Sequence, residues 1–461
     1  MPMPTHPALT RRTFLEHAAL ATTGLWLGGC ATSSLTPRAR RIAPDEKMRI
    51  GCIGIGGQGG SVTADLATFP DVQIAALCDV DQTYAAKNIK KYPGVPLYRD
   101  YREMLEKEPK LHAVMVGTPD HWHAPISLAA MQLGLHVYCE KPLAHTIEEA
   151  RLMGRVARET GVVTQMGNAG HASEGLRLTK EWIDAGAIGK VSEVHVWSDR
   201  PGKFWRSQGH RRPTELPPVP AGLDWNLWLG GASNRPYHPD YLPRQWRGWQ
   251  DFGCGAVGDM AVHNADPAFY ALDLGAPDWV EAESSPTNPD SFPEWSILTY
   301  HFPAKGRRGP IKMIWYDGGK MPPRPAELEA DRALGDNGIY FLGTKGVLLA
   351  PGWSGTPRLV PESKMQALVR PEKSIARSVG HRREWVDACR AGRPEDAKAG
   401  FWYSAPFTEA LLVGLLPLFA GKRIQWDART MSALNAPELA PLIRKSYRSG
   451  FDLAIAHNLI A

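Results

Sequence analysis

Cysteine is scarce, with 6 in 461 residues, and no two stand at the C-x-x-C spacing of a zinc or redox site. Cys52, Cys78 and Cys139 lie in or at the ends of apolar, strand-like runs, where a thiol serves as a small hydrophobe, and no structural disulfide is expected. No block of consecutive Lys or Arg stands out and the net charge is only +5, so the basic stripe of a nucleic-acid binder is missing. His121, His123, His171 and His263 are not joined by any carboxylate–histidine set at metal spacing, so no metal site is expected. Glycine (45) and proline (39) are plentiful, which points to turns and long loops. Tryptophan stands out at 16, with many between Trp197 and Trp249. Flat apolar rings beside charged and hydroxyl groups suit the faces of sugar rings, or else pack irregular loops.

The first forty residues read as an address. Thr10-Arg11-Arg12-Thr13-Phe14-Leu15 resembles a twin-arginine export signal, and the apolar run Ala18 to Leu27 is too short to span a bilayer. Leu27-Gly28-Gly29-Cys30 resembles a lipobox, with Cys30 the lipidated residue. Residues 1–30 are therefore expected to be a signal peptide and 31–45 a tether. The product would be a periplasmic lipoprotein held to the membrane only through Cys30. Export of a folded chain would also explain why no disulfide framework is present.

From Met48 strands and helices alternate. The strand Arg49 to Ile55 runs into Gly54-Ile55-Gly56-Gly57-Gln58-Gly59, a helix follows, and a second strand, Val72 to Cys78, ends in Asp79. G-x-G-x-x-G in this context is a dinucleotide fingerprint: Gly54 for the turn, Gly56 for close approach to a pyrophosphate, and Gly59 for helix–strand packing. The helix N-terminus offers free N–H groups to the phosphates. Asp79 can accept both ribose hydroxyls and would repel a 2′-phosphate, so NAD is favoured over NADP. Further units, Ala113 to Val116, Ala124 to Leu133, His136 to Cys139, Ile147 to Arg158 and Val162 to Met166, imply a doubly wound parallel sheet over residues 46–166. Its ligand edge would carry Gly117-Thr118-Pro119-Asp120-His121-Trp122-His123 and Glu140-Lys141-Pro142.

Residues 167–461 form the expected second domain. Strands are predicted at Val191 to Ser198, Trp279 to Ser285, Ser296 to Phe302, Ile311 to Tyr316, Gly338 to Leu342 and Val347 to Ala350. Helices are predicted at Arg377 to Ala391 and at Tyr403 to Phe419, the latter broken near Pro417. Asp259 and His263, four apart, would share a helical face, and Gly253, Gly255 and Gly258 would admit a ligand close to the backbone. Oxidising a secondary alcohol needs a base for the hydroxyl proton. A histidine oriented by a carboxylate suits that task, with a lysine polarising the oxygen. The aperiodic stretch from Asp199 to Phe252 supplies Arg200, Trp205, Arg206, Tyr237, His238, Trp246, Arg247 and Trp249 as sugar-contact candidates, and Asn168 and His171 follow a strand end.

The fingerprint, Thr118-Pro119 with His123, Glu140-Lys141-Pro142, and Asp259 with His263 together resemble the glucose–fructose oxidoreductase / inositol dehydrogenase / MocA (Gfo/Idh/MocA) family. The resemblance covers nearly all of the chain after the tether. It implies an α/β fold in which a Rossmann domain is followed by an α/β domain with a large open, mostly antiparallel sheet, often an oligomer interface. It implies Lys141, Asp259 and His263 at the catalytic centre. Gly54, Gly56, Gly57, Gln58, Gly59, Asp79, Thr118, Pro119, His121, His123, Glu140 and Lys141 would surround a tightly held NAD. Ala261 departs from the family, which more often has glycine there. Three functions follow as expectations: an NAD-dependent sugar oxidoreductase, a glycoside hydrolase using bound NAD transiently, or a non-catalytic sugar-binding lipoprotein.

Overall fold

A computed structural model describes residues 39–453. The paired arginines Arg11 and Arg12 and the expected lipidation site Cys30 lie outside the described residues.

The first sheet is six-stranded and parallel, in the order β3-β2-β1-β4-β5-β6: β1 is Met48–Ile53, β2 Val72–Cys78, β3 Leu97–Tyr98, β4 Ala113–Val116, β5 His136–Cys139 and β6 Thr164–Met166. Every residue of β4, β5 and β6 is buried, as expected of strands covered on both faces. The crossover helix Ile147–Thr160 begins with a capping box between Thr146 and Glu149 and stops at Gly161, which takes the left-handed conformation (φ 64°).

The second sheet has nine strands in the order β13-β12-β11-β7-β10-β9-β8-β14-β15. They are β7 Val191–Trp197, β8 Trp279–Ser284, β9 Ser296–Phe302, β10 Ile311–Tyr316, β11 Gly338–Gly343, β12 Gly346–Pro351, β13 Arg358–Val360, β14 Ile424–Asp427 and β15 Ser432–Ala433. All neighbours are antiparallel except β7 and β10. In β9 burial alternates strictly, so Leu298, Tyr300 and Phe302 enter the core that also holds β4 and β5. The fold class read from the sequence holds.

Two packing contacts cross the expected boundaries. Residues 39–45 are not free tether: Ile42 is buried in the Rossmann core, and Arg40 donates through its backbone N–H to Gly134 O and through its guanidinium to Leu111 O. The second unit is not confined to its own sheet either. Trp385, Val386 and Cys389 of the helix His381–Ala391 complete a core with Ile50, Cys52 and Tyr138 on one face of the parallel sheet. The broken helix is as expected, in segments Phe401–Val413 and Leu416–Ala420. The five described cysteines are all buried and free.

Candidate active site

A cleft of about 910 Å³ runs along the carboxyl ends of β1, β2, β4, β5 and β6 and is closed on its far side by residues of the long 199–252 stretch, the 257–263 segment and Trp353. One end is built largely from backbone. Gly54 holds φ +76°, and a Cβ at Gly59 would lie 2.0 Å from the carbonyl oxygen of Gly54, so helix and loop touch main chain to main chain. The helix Gln58–Leu66 starts at Gly57 with no side-chain cap, leaving its first N–H groups for a ligand. A Cβ on Gly57 would meet nothing nearer than 3.7 Å. Two buried side-chain atoms along the cleft wall, Thr118 Oγ1 and Glu140 Oε1, have no hydrogen-bond partner. This end fits a dinucleotide.

Asp79 plays a part that spacing alone did not reveal. Its Oδ2 accepts from the backbone N–H groups of Ile55 (2.8 Å) and Gly56 (2.9 Å), and its Oδ1 from that of Asp81 (2.9 Å). The carboxylate ties the glycine loop to the end of β2, with little acceptor capacity left for ribose hydroxyls. Burial pushes its pKa up to about 6 against the pull of those three N–H groups.

The other end is built from side chains. Lys141 Nζ donates to Asp259 Oδ1 (2.8 Å) and to its carbonyl oxygen (2.9 Å). Arg247 Nε reaches Asp259 Oδ1 (3.1 Å) and Arg200 Nε reaches Oδ2 (3.2 Å). These cations hold the buried Asp259 carboxyl far below the usual range despite its desolvation. The expected helical pairing of Asp259 with His263 does not occur: residues Val257–Ala261 form a π-turn, and the carboxylate faces the three cations rather than the imidazole. Gly258 sets this up, because a Cβ there would lie 3.1 Å from Pro142 Cγ and 2.4 Å from Cys254 Cβ. Gly253 and Gly255 pack against Arg247 and Phe292, so these glycines admit protein rather than ligand. His263 is buried and lines the cleft, and its Nδ1 has no partner. Burial and then the Lys141 ammonium push its pKa down to about 3, so the ring is neutral at ordinary pH.

Gly54, Gly56, Gly57, Gln58, Asp79, Thr118, Pro119, Glu140, Lys141, Arg200, Trp205, Arg247, Asp259 and His263 all line the cleft. Nine expected residues do not: Gly59 packs against Gly54, Arg206 gives its backbone N–H to Gln245 Oε1, the buried Trp249 donates its ring N–H to Asp240 O, and six more turn elsewhere. His121 is enclosed by Trp228 and Phe252, its ring nitrogens facing their carbonyl oxygens. His123 lies between the carbonyl oxygens of Pro142 (2.7 Å) and Thr118 (2.9 Å), bracing the two cleft-lining loops from behind. Asn168 and His171 turn away to Asp266, which also accepts from Tyr403. Tyr237 packs in an aromatic cluster with Trp228 and Trp249, and His238 accepts from the N–H of Asp240 as a cap. These six are held by partners inside the scaffold, although Asn168 Oδ1 is buried with no hydrogen-bond partner, and residue type and spacing cannot distinguish such groups from ligand contacts. The sequence reading missed Phe204, Arg244, Met260 and Trp353, all in the lining. Trp353 had a signal, since Gly352 and Gly355 bracket it after a strand; it and Ser354 take positive φ (57° and 55°). Asp120, expected on the ligand edge but given no role, is buried behind the cleft, accepts from Cys254 N–H, and is raised by desolvation to about 7. Among the described residues no group of three or more His, Cys, Asp or Glu could hold a metal ion.

Comparisons with known proteins agree with this construction. A family model for an NAD-binding Rossmann fold of the Gfo/Idh/MocA oxidoreductases matches residues 48–168, and one for that family's C-terminal α/β domain matches 175–309, together more than half of the chain. A levoglucosan dehydrogenase of Pseudarthrobacter phenanthrenivorans is 26% identical over 236 residues, 49% of this chain and 52% of the relative. A glycosyl hydrolase family 109 protein of a Shewanella species (strain ANA-3) is 30% identical over 203 residues, 39% and 44% respectively. The chain thus spans about half the length of the curated relatives it matches. Among solved structures, the WlbA dehydrogenase from Bordetella pertussis, in complex with NADH and UDP-GlcNAcA, shares the fold at TM-score 0.56 and 18% identity over 83% of this chain and 99% of that one. A levoglucosan dehydrogenase with NADH does so at 0.54 and 18% over 82% and 98%. Fingerprint, sheet order and matched segments coincide: the chain belongs to the Gfo/Idh/MocA oxidoreductase family, with NAD as the cofactor of its Rossmann domain.

Proposed function

We propose that the protein is an NAD-dependent oxidoreductase that moves hydride between bound nicotinamide and a secondary hydroxyl of a sugar or sugar derivative. The observation that carries this reading is the meeting of Lys141, Asp259 and His263 at one end of the dinucleotide cleft, with His263 Nδ1 buried and unpartnered. The cofactor, when bound, supplies the hydride acceptor or donor. His263, neutral because burial disfavours its charged form, is free to take the hydroxyl proton. Lys141, fixed by Asp259, would donate a hydrogen bond to the reacting oxygen and stabilise negative charge developing there. Asp259 acts by holding the lysine rather than by orienting the imidazole. The dehydrogenase relatives, whose names and complexes concern sugars or sugar derivatives, support the substrate class.

The test is to isolate the protein with its native nucleotide and follow nicotinamide absorbance while titrating a sugar panel. Stable reduction by one sugar supports the proposal, and no change with any sugar sinks it. The matches to glycosyl hydrolase family 109 proteins favour a second reading, redox-neutral glycoside cleavage. Its signature would be transient reduction followed by recovery as aglycone is released, without added acceptor.

Export by the twin-arginine route, with a lipid anchor on Cys30, belongs to the same proposal and rests on Arg11-Arg12 and Leu27-Gly28-Gly29-Cys30. Changing both arginines to lysine should trap unprocessed precursor. A homo-oligomer built on the nine-stranded sheet is likewise proposed; light scattering on the purified protein checks it.

A further inference from the structure

The long stretch between β7 and β8 serves both ends of the cleft. Arg247 reaches Asp259 at the end that holds Lys141, but residues 220–231 cross to the loop after β2 and pair with it main chain to main chain. Gln82 N–H donates to Gly222 O (3.2 Å) and Asp224 N–H to Val80 O (2.9 Å), with Leu223 opposite Asp81 in an isolated antiparallel bridge. Arg99 Nη1 also donates to Gly222 O, at 3.1 Å. A Cβ on Gly222 would fall 1.8 Å from Thr83 Oγ1, so an approach this close needs glycine. Asp224 then caps the helix Trp225–Leu229 by accepting from Leu227 N–H at 2.9 Å. Leu227 and Trp228 of that helix join Val80, Asp81 and Tyr101 in the cleft lining. In a doubly wound sheet the end of the second strand marks the adenosine half of a dinucleotide, while the pyrophosphate lies on the helix after the first.

The outer side of this segment is gripped by the last described residues of the chain. Arg448 donates from Nε to Gly230 O (2.9 Å), from Nη1 to Asn226 Oδ1 (2.7 Å) and from Nη2 to Asn226 O (2.8 Å), and its backbone N–H donates to Gly231 O (3.0 Å). The tail is in turn fastened to the Rossmann domain on both sides of Arg448. Lys445 pairs with the buried Glu149 at 2.6 Å. Arg102 Nη1 donates to Gly450 O (2.9 Å), and the Phe451 ring meets Trp122, a cleft residue, edge-on at 5.9 Å. Trp228 and Leu229 belong with Tyr241, Trp249 and Phe252 to a small aromatic cluster that contains no strand residue, so the gripped segment is a body separate from either sheet. The bonds of Arg448 lie near the surface, where they break locally without unfolding a domain.

We propose that residues 220–231 form a clasp over the adenosine half of NAD, latched by the tail 445–453, so that the nucleotide enters and leaves only when the latch opens and is retained from one turnover to the next. Arg448 touches the clasp and does not line the cleft, so it governs the rate of exchange rather than the affinity. A gate scales entry and departure together, whereas a lost contact speeds departure alone. The clasp serves either reaction proposed for the site, since both use the same cofactor.

The measurement is stopped-flow mixing of NADH with the full chain, freed of nucleotide on charcoal, followed by nicotinamide fluorescence, with an excess of NAD as chase to read release. Arg448→Ala, and Phe451→Ala as an independent break of the same latch, should each raise association and release together by at least about tenfold, leaving Kd within about threefold of wild type. Leu227→Ala should instead weaken NADH through faster release, because it removes a wall of the site and leaves the latch intact. Release that accelerates alone in both latch variants would make the tail an indirect binding contact and overturn the gate. Rates unchanged in both, or a wild-type protein that exchanges NADH as fast as the variants, would overturn it as well. The thermal midpoint checks folding: if Arg448→Ala does not fold, Phe451→Ala decides, and loss of the fold in both would make the tail part of the core rather than a latch.

Discussion

The two ends of the cleft are made of different material. The dinucleotide end is main chain: Gly54, Gly57 and Gly59 act through what they lack, and they lie within six consecutive residues between one strand and one helix. The substrate end is side chain. Lys141 follows β5, Arg200 follows β7, Arg244 and Arg247 come from the long irregular stretch, Asp259 from a π-turn, His263 from the helical turn after it, and Trp353 from just beyond β12. A backbone-built site is local in sequence, so its spacing encodes it. A side-chain-built site is assembled by tertiary folding, and only its ingredients are visible beforehand.

The largest expected break in this comparison is catalytic. His263→Ala and Lys141→Ala should each lower kcat by about two to four orders of magnitude, the loss typical of a positioned acid–base or oxyanion group. NAD should still co-purify, since the glycine loop is untouched. Loss of nucleotide in either variant would mean that the two ends are not separable.

Acid should come next, and it should act through the scaffold. His121, His123, His136, His145, His263 and His381 are all pushed down by burial, to about 3 or 4. Their folded values lie below the ordinary 6.5, so stability is fully present above that pH. It is lost as pH falls from 6.5 toward the folded values, because the unfolded chain binds protons first. Each histidine contributes up to about 1.4 kcal/mol per pH unit in that window. Asp79, Asp120 and Asp317, raised to between about 6 and 7, work in the opposite direction over pH 7 to 4, but they are fewer. Midpoints of urea unfolding should therefore fall between pH 6.5 and 4.5. Activity should be lost with them rather than along a separate titration of His263, and an acid limb of kcat in a protein still folded would contradict this.

What was legible in the sequence follows the same division. Eleven of the fifteen strands could be read, because apolar runs such as Val191–Trp197 and Ile311–Tyr316 need only local pattern, whereas the short strands β3, β13, β14 and β15 at the sheet margins could not. The Rossmann loop was legible from spacing in context, and Lys141 from its place after a strand together with the family resemblance. The direction of a buried polar side chain was not: His121, His123, Asn168 and His171 have the residue types of a site, but carbonyl oxygens and Asp266 claim them. The π-turn was invisible as well. A spacing of four reads as one α-helical face, and the extra backbone residue per turn redirects Asp259 toward Lys141.

Smaller effects separate fold from ligand at the glycine loop. Gly59→Val should destabilise the protein by about 1–3 kcal/mol and abolish NAD binding, since the atom its Cβ would meet is backbone and cannot swing aside. Gly57→Ala should leave the thermal midpoint nearly unchanged yet weaken NAD, because its Cβ would project into space meant for phosphate. Equal effects on stability and affinity in both variants would show that the loop is not divided in this way.

The smallest and most discriminating change is Asp79→Asn. The carboxylate accepts from three backbone N–H groups, and the amide offers one acceptor oxygen and turns an NH2 toward at least one of those donors. Leaving a buried N–H unpaired costs about 1–3 kcal/mol, partly offset because no charge is then buried at neutral pH. The apo protein should lose that stability above pH 6, and less below it, where burial already protonates the carboxyl. NAD affinity should fall with the loop. If Asp79 also faces the ribose, removing its charge should narrow the gap between NAD and NADP. If its whole function is to hold Ile55, Gly56 and Asp81, both nucleotides should weaken by the same factor. Titrating both into wild-type and Asp79→Asn protein separates a residue that reads the cofactor from one that only shapes its cradle.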